Sequence, residues 1–65
     1  MMEREIEWSD LDRMGASDEA LDFFATTDPL HIYQTDAGYL VTGTLEWVST
    51  DEAHLLKTLD AYAKA

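Results

Sequence analysis

The sequence predicts a small α+β domain, and three observations carry that prediction. Between Leu30 and Val48, two runs rich in Ile, Val, Thr and Tyr flank the turn signal Asp36-Ala37-Gly38, which reads as an antiparallel hairpin. Before and after it, apolar residues recur at helical spacing behind Ser caps. A period-two alternation opens the chain, with Glu3, Glu5 and Glu7 on one side and Met2, Arg4, Ile6 and Trp8 on the other. The expected order is β-α-β-β-α in one domain over residues 1–65. Its sheet has three antiparallel strands, with the helices packed on one face and the other face open to water.

The first strand spans Glu3 to Trp8, with Ile6 and Trp8 turned inward. Ser9 with Asp12 is expected to cap a short helical turn through Met14, closed by Gly15. Ser17 reads as the N-cap of a helix running to Thr26, and Asp18 and Glu19 fall in its first turn, where the helix dipole favours negative charge. On that helix Ala20, Leu21, Phe24 and Ala25 share the core face, Asp18, Glu19 and Asp22 occupy a neighbouring arc, and Phe23 falls outside the apolar stripe. Thr27-Asp28-Pro29 ends the helix.

Leu30–Thr35 and Tyr39–Val48 are the hairpin strands, with Tyr39, Val41, Gly43, Leu45 and Trp47 on the core side. A two-residue turn aligns Leu30 with Leu45, and a turn with a glycine bulge shifts that pairing by one. Ser49 with Glu52 resembles a capping box that opens a last helix reaching Lys64, whose stripe is Leu55, Leu56, Leu59, Tyr62 and Ala63. An alternative leaves the N-terminal segment helical or loose, with the hairpin and two helices carrying the fold.

Charge is the strongest compositional signal. Fourteen acidic residues stand against four basic ones in 65 residues, a formal net charge of −10. Self-repulsion on so small a body works against compactness, and solubility alone is met by a magnitude of about 2 to 8, so the excess points to a partner or an environment. Through Asp28 nine acids stand against two arginines, whereas beyond it five acids stand against two lysines. Lys57, Lys64 and His54 share the outward side of the last helix, so one side of the molecule is expected to be strongly acidic and another nearly neutral.

The same composition excludes several chemistries. With no cysteine there is no disulfide, thiolate zinc site or thiol nucleophile, and a reducing cytoplasmic setting is the natural expectation. Met1-Met2-Glu3-Arg4-Glu5 lacks the basic start and apolar stretch of a signal peptide, and no run is apolar enough for a membrane span. His31 and His54 form no metal-ligand pair. Asp10-x-Asp12-x-Met14-Gly15 imitates the start of a calcium loop, but Met14 occupies a ligand position and Leu21 stands where the bidentate Glu belongs. Gly15, Gly38 and Gly43 form no phosphate loop, and without a basic patch direct nucleic-acid binding is disfavoured. No catalytic arrangement stands out, so neither an enzyme nor a bound cofactor is expected.

What remains is the acidic surface. Alternate strand residues lie about 6.6 Å apart, so Glu3, Glu5 and Glu7 would form a row of carboxylates, and Asp18 with Asp22 would stand one helical turn apart. Both intervals are similar to the step between phosphates along a nucleic-acid strand. Asp10 and Asp12 extend the acidic run, and Phe23, beside the Asp18-Glu19-Asp22 arc, is a candidate aromatic anchor.

In size, charge and these carboxylate rows the chain resembles the small acidic DNA-mimic proteins of phages and mobile elements, including anti-CRISPR and anti-restriction inhibitors. The resemblance implies a non-enzymatic inhibitor that, as a monomer or homodimer, blocks the DNA-binding surface of a basic nucleic-acid-binding protein. A CRISPR effector subunit or another nuclease is the implied target. Two alternatives are an antitoxin-like interaction or regulatory module docking through the open sheet face or an edge strand, and a salt-adapted housekeeping domain.

Overall fold

The computed structural model describes residues 4–65. Seven elements follow one another: β1 (Arg4–Ile6), α1 (Trp8–Met14), α2 (Asp18–Thr26), β2 (Leu30–Thr35), β3 (Gly38–Gly43), β4 (Trp47–Ser49) and α3 (Glu52–Ala63). The four strands form one antiparallel sheet in sequence order, β1-β2-β3-β4. The α+β class is as the sequence predicts, but the sheet has a fourth strand and the order is β-α-α-β-β-β-α.

Two local rules account for the difference. At the N-terminal end the strand stops at Ile6, because the Asp10 carboxylate accepts the Glu7 backbone N–H at 2.9 Å and makes Glu7 the N-cap of α1. Ser9, the expected cap, is instead an exposed residue inside the helix. Trp8, expected in the core, opens the helix and is 46% exposed. The short turn grows into a seven-residue helix closed by Gly15.

In the second half the expected strand Tyr39–Val48 breaks at Gly43, whose φ of 114° is open to glycine at little cost. The Thr44 N–H donates to the Pro29 carbonyl at 2.8 Å, and a side chain at Gly43 would run into that same carbonyl. The chain therefore turns, and β4 returns along β3 with Val41 opposite Trp47. Alternation survives the break, so Tyr39, Val41, Leu45 and Trp47 still share the core side.

The turn between β2 and β3 contains only Asp36 and Ala37, and Thr35 pairs with Gly38. Leu30 consequently faces Gly43 and not Leu45, a shift of two residues that leaves every side chain on its predicted face. Gly38, at φ 131°, lies so close to the Ser49 and Thr50 backbone that a Cβ there would collide with the Ser49 carbonyl.

Ser17 caps α2 as predicted, accepting the Ala20 N–H at 3.1 Å. The cap of α3 is Asp51, which accepts the His54 N–H at 2.8 Å, and not Ser49. Ser49 is fully buried in β4, where its hydroxyl accepts from Trp47 Nε1 at 2.9 Å and meets His54 Nδ1 at 2.8 Å. Tyr62 stacks on Trp47 with ring centroids 5.1 Å apart, so the outer edge of β4 is fastened to both ends of α3.

One core unites the elements. Ile6, Leu30, Ile32 and Val41 from one face of the sheet are buried with Leu11, Ala20, Leu21, Leu55 and Leu59 from the helices. The helices therefore cover that face alone. Ala25, expected on the core side of α2, is exposed, while Phe23, expected outside the stripe, is half-buried and packs against the core.

Candidate partner-binding surface

The acidic residues divide into those used inside the fold and those left on its surface. Asp10 belongs to the first group. It is 8% exposed, and its carboxylate takes the Glu7 N–H, Arg13 Nη2 at 2.5 Å and Arg4 Nη1 at 3.4 Å. The backbone hydrogen bond from Glu7 is the largest influence holding this carboxyl below its usual range. Burial pulls the other way, and the two guanidinium groups add to the lowering. Asp10 thus joins β1 to α1 and is withdrawn from the surface expected to bind a partner.

Asp60 is the second internal acid. The Ser17 hydroxyl donates to its Oδ1 at 2.5 Å and Lys64 Nζ meets its Oδ2 at 3.0 Å. The Ser17 hydrogen bond, followed by the Lys64 pairing, lowers the Asp60 pKa, and Asp60 raises that of Lys64, with a smaller contribution from Glu19. Because the same Asp60 carboxylate bonds Ser17, the N-cap of α2, its pairing with Lys64 brings that lysine near the start of α2. Packing α2 against α3 brings a lysine to the acidic helix, so the expected division into one acidic and one neutral side is only partial.

The remaining predicted residues are placed as follows. Glu3 lies outside the described residues. Glu5 is exposed on the open face of the sheet and pairs with His31 Nδ1 at 3.1 Å. Glu7 is exposed but has left the strand for the α1 cap, so the carboxylate row on β1 reduces to Glu5 among the described residues. Asp12 on α1 and Asp18, Glu19 and Asp22 on α2 are all exposed. Asp18 and Asp22 keep the one-turn spacing expected of them. Phe23 packs inward and is no free anchor.

Both arginines engage Asp10 and Lys64 engages Asp60, which leaves Lys57 as the cation without an ion pair among the described residues. The sequence has no Lys or Arg between Arg13 and Lys57, so α2 carries no cation of its own.

Sequence reasoning missed Trp8, an exposed aromatic with Asp12 one turn further along α1. The signal was available in the Glu7-x-x-Asp10 spacing, which makes Trp8 the first helical residue.

Among the described residues no group of three or more His, Cys, Asp or Glu is arranged to hold a metal ion, and no helix is long and apolar enough to cross a membrane. No family model, curated protein or solved structure matches the chain.

Proposed function

We propose that the chain is a non-enzymatic binding protein that acts in the cytoplasm by occupying the positively charged, nucleic-acid-binding surface of another protein. The observation that carries this reading is α2, which exposes Asp18, Glu19 and Asp22 on a helix with no basic residue. Carboxylates one turn apart repel, costing a helix about 0.2–0.5 kcal/mol per pair, and a cationic groove turns that cost into attraction. The withdrawal of Asp10 refines the reading: the binding residues are Asp12, Asp18, Glu19 and Asp22, with Glu7 beside them on the α1 cap and Trp8 as the adjacent aromatic.

Basic nucleases and the DNA-binding subunits of CRISPR effectors are the targets this chemistry fits. The test is inhibition of DNA binding across a panel of such proteins, by wild type and by the double variant Asp18→Lys, Asp22→Lys. Wild type should displace DNA from at least one target with an affinity that falls steeply with salt, and the variant should lose that activity while its circular dichroism spectrum is unchanged. Undiminished inhibition by the folded variant would sink the idea.

A further inference from the structure

The helices cover one face of the sheet and leave the other open. On that open side the register lines up one residue from each strand: Glu5 opposite Tyr33, Tyr33 opposite Leu40, and Leu40 opposite Val48. Val48 is 59% exposed, and Tyr33 and Leu40 are half-buried. An antiparallel sheet with one solvated face ordinarily carries polar side chains there. Here the central row is apolar over three strands and ends in a carboxylate.

Two features narrow what covers it. The edge strand β4 is only three residues long, so that edge offers little unpaired backbone for an added strand and the sheet's face is the addressable part. The charge of −10 opposes a second copy, which would set two acidic bodies and two Glu5 carboxylates against each other.

We infer that the row Tyr33, Leu40, Val48 with Glu5 at its end is a docking surface for a partner protein that presents an apolar side chain flanked by Lys or Arg. This rests on the reading that the partner is cationic, and it adds that charge is not the whole contact. The apolar row supplies the part of the affinity that salt does not screen, and Glu5, 3.1 Å from His31, supplies a charged end that fixes orientation.

The experiment is an amide NMR titration of the full chain with two synthetic peptides of equal length and charge, one alternating Lys with Val and the other Lys with Ser. The Lys–Val peptide should shift the amides of Tyr33, Leu40 and Val48 and keep binding when salt is raised. Val48→Ser, and the near-isosteric Val48→Thr should serine disturb the fold, should weaken it about five- to tenfold. The Lys–Ser peptide should be indifferent to both substitutions and be released by salt.

Shifts confined to α1 and α2 with both peptides, or Lys–Val binding unchanged in both variants, would overturn the inference. So would a dimer in sedimentation that Val48→Ser dissolves, since the face would then be covered by a second copy. Failure of the Lys–Ser peptide to bind at low salt counts against the charge reading alone, and leaves the Lys–Val comparison to decide the sheet face.

Discussion

Asp10 shows why a count of acids overstates an acidic surface. In sequence it is one more carboxylate in a run of them, yet it receives one backbone N–H and both arginines of the chain. Its pKa lies below the ordinary 3.8, so the folded state holds this group's proton less tightly than the unfolded chain does. The stability it contributes is therefore fully present above pH 3.8 and is lost as pH falls through the lower folded value. Asp10→Asn should lower the urea midpoint at neutral pH more than Asp12→Asn does, and should flatten the loss of stability on acidification. Equal midpoints for the two variants would show that the cluster is not structural. Lys64 has the opposite sign: raised above 10.5 by Asp60, its contribution is present below that pH and disappears as pH rises through the folded value.

Ser17 was legible where Asp10 was not, because a serine three residues ahead of a helical alanine has one common local use. What sequence could not give is its second bond, to Asp60, which depends on α2 lying against α3. Ser17→Ala removes both, with a cost of about 1 kcal/mol for the cap alone. The Asp60 carboxyl should titrate at higher pH in that variant, a change readable by NMR.

At the scale of elements, what could be read were periods and faces, and what could not were breaks that preserve the face. Tyr39, Val41, Leu45 and Trp47 keep one side whether or not the chain turns at Gly43, so alternation alone shows one long strand where there are two short ones. The hairpin register is hidden in the sequence for the same reason, since a shift of two leaves the pattern of burial unchanged. Only the glycine conformation and the close Pro29 carbonyl mark the break. Gly43→Ala should cost about 2 kcal/mol or more, the positive φ contributing 1–2 and the carbonyl the rest. A chemical denaturation midpoint equal to wild type would mean that the β3–β4 turn tolerates a side chain.

The buried Ser49 joins β4 to α3 through Trp47 and His54. Ser49→Ala leaves the Trp47 N–H without its partner, at about 1–3 kcal/mol. In sequence Ser49 resembles a helix cap, because a capping serine and a buried strand serine differ only in their spatial neighbours.

At the scale of the whole molecule, the α+β class, the hairpin and a sheet with one open face were all readable from composition and period. The distribution of charge was readable only along the chain and not in space. α2 is acidic by sequence, yet its contact with α3 brings Lys64, paired with the Asp60 that bonds Ser17, near its N-cap. Pairing of Asp10 and Asp60 engages three of the four cations, so the fold does not depend on external counterions for these two carboxylates. The chain should accordingly be folded at low ionic strength, with a cooperative thermal transition whose midpoint rises modestly with added salt as surface repulsion is screened. Folding only at molar salt would instead identify a salt-adapted domain and remove the case for a charge-directed partner.

The two tryptophans of the chain stand in contrasting places, Trp8 exposed beside the acidic helices and Trp47 held between Tyr62 and the Ser49 hydroxyl. The molecule thereby carries two native fluorophores of different meaning. With Trp47 replaced by Phe, the remaining emission comes from the exposed side of α1, where partner binding is proposed. With Trp8 replaced, it comes from the junction of β4 and α3, so one cuvette can report engagement and the other integrity of the fold without any attached dye.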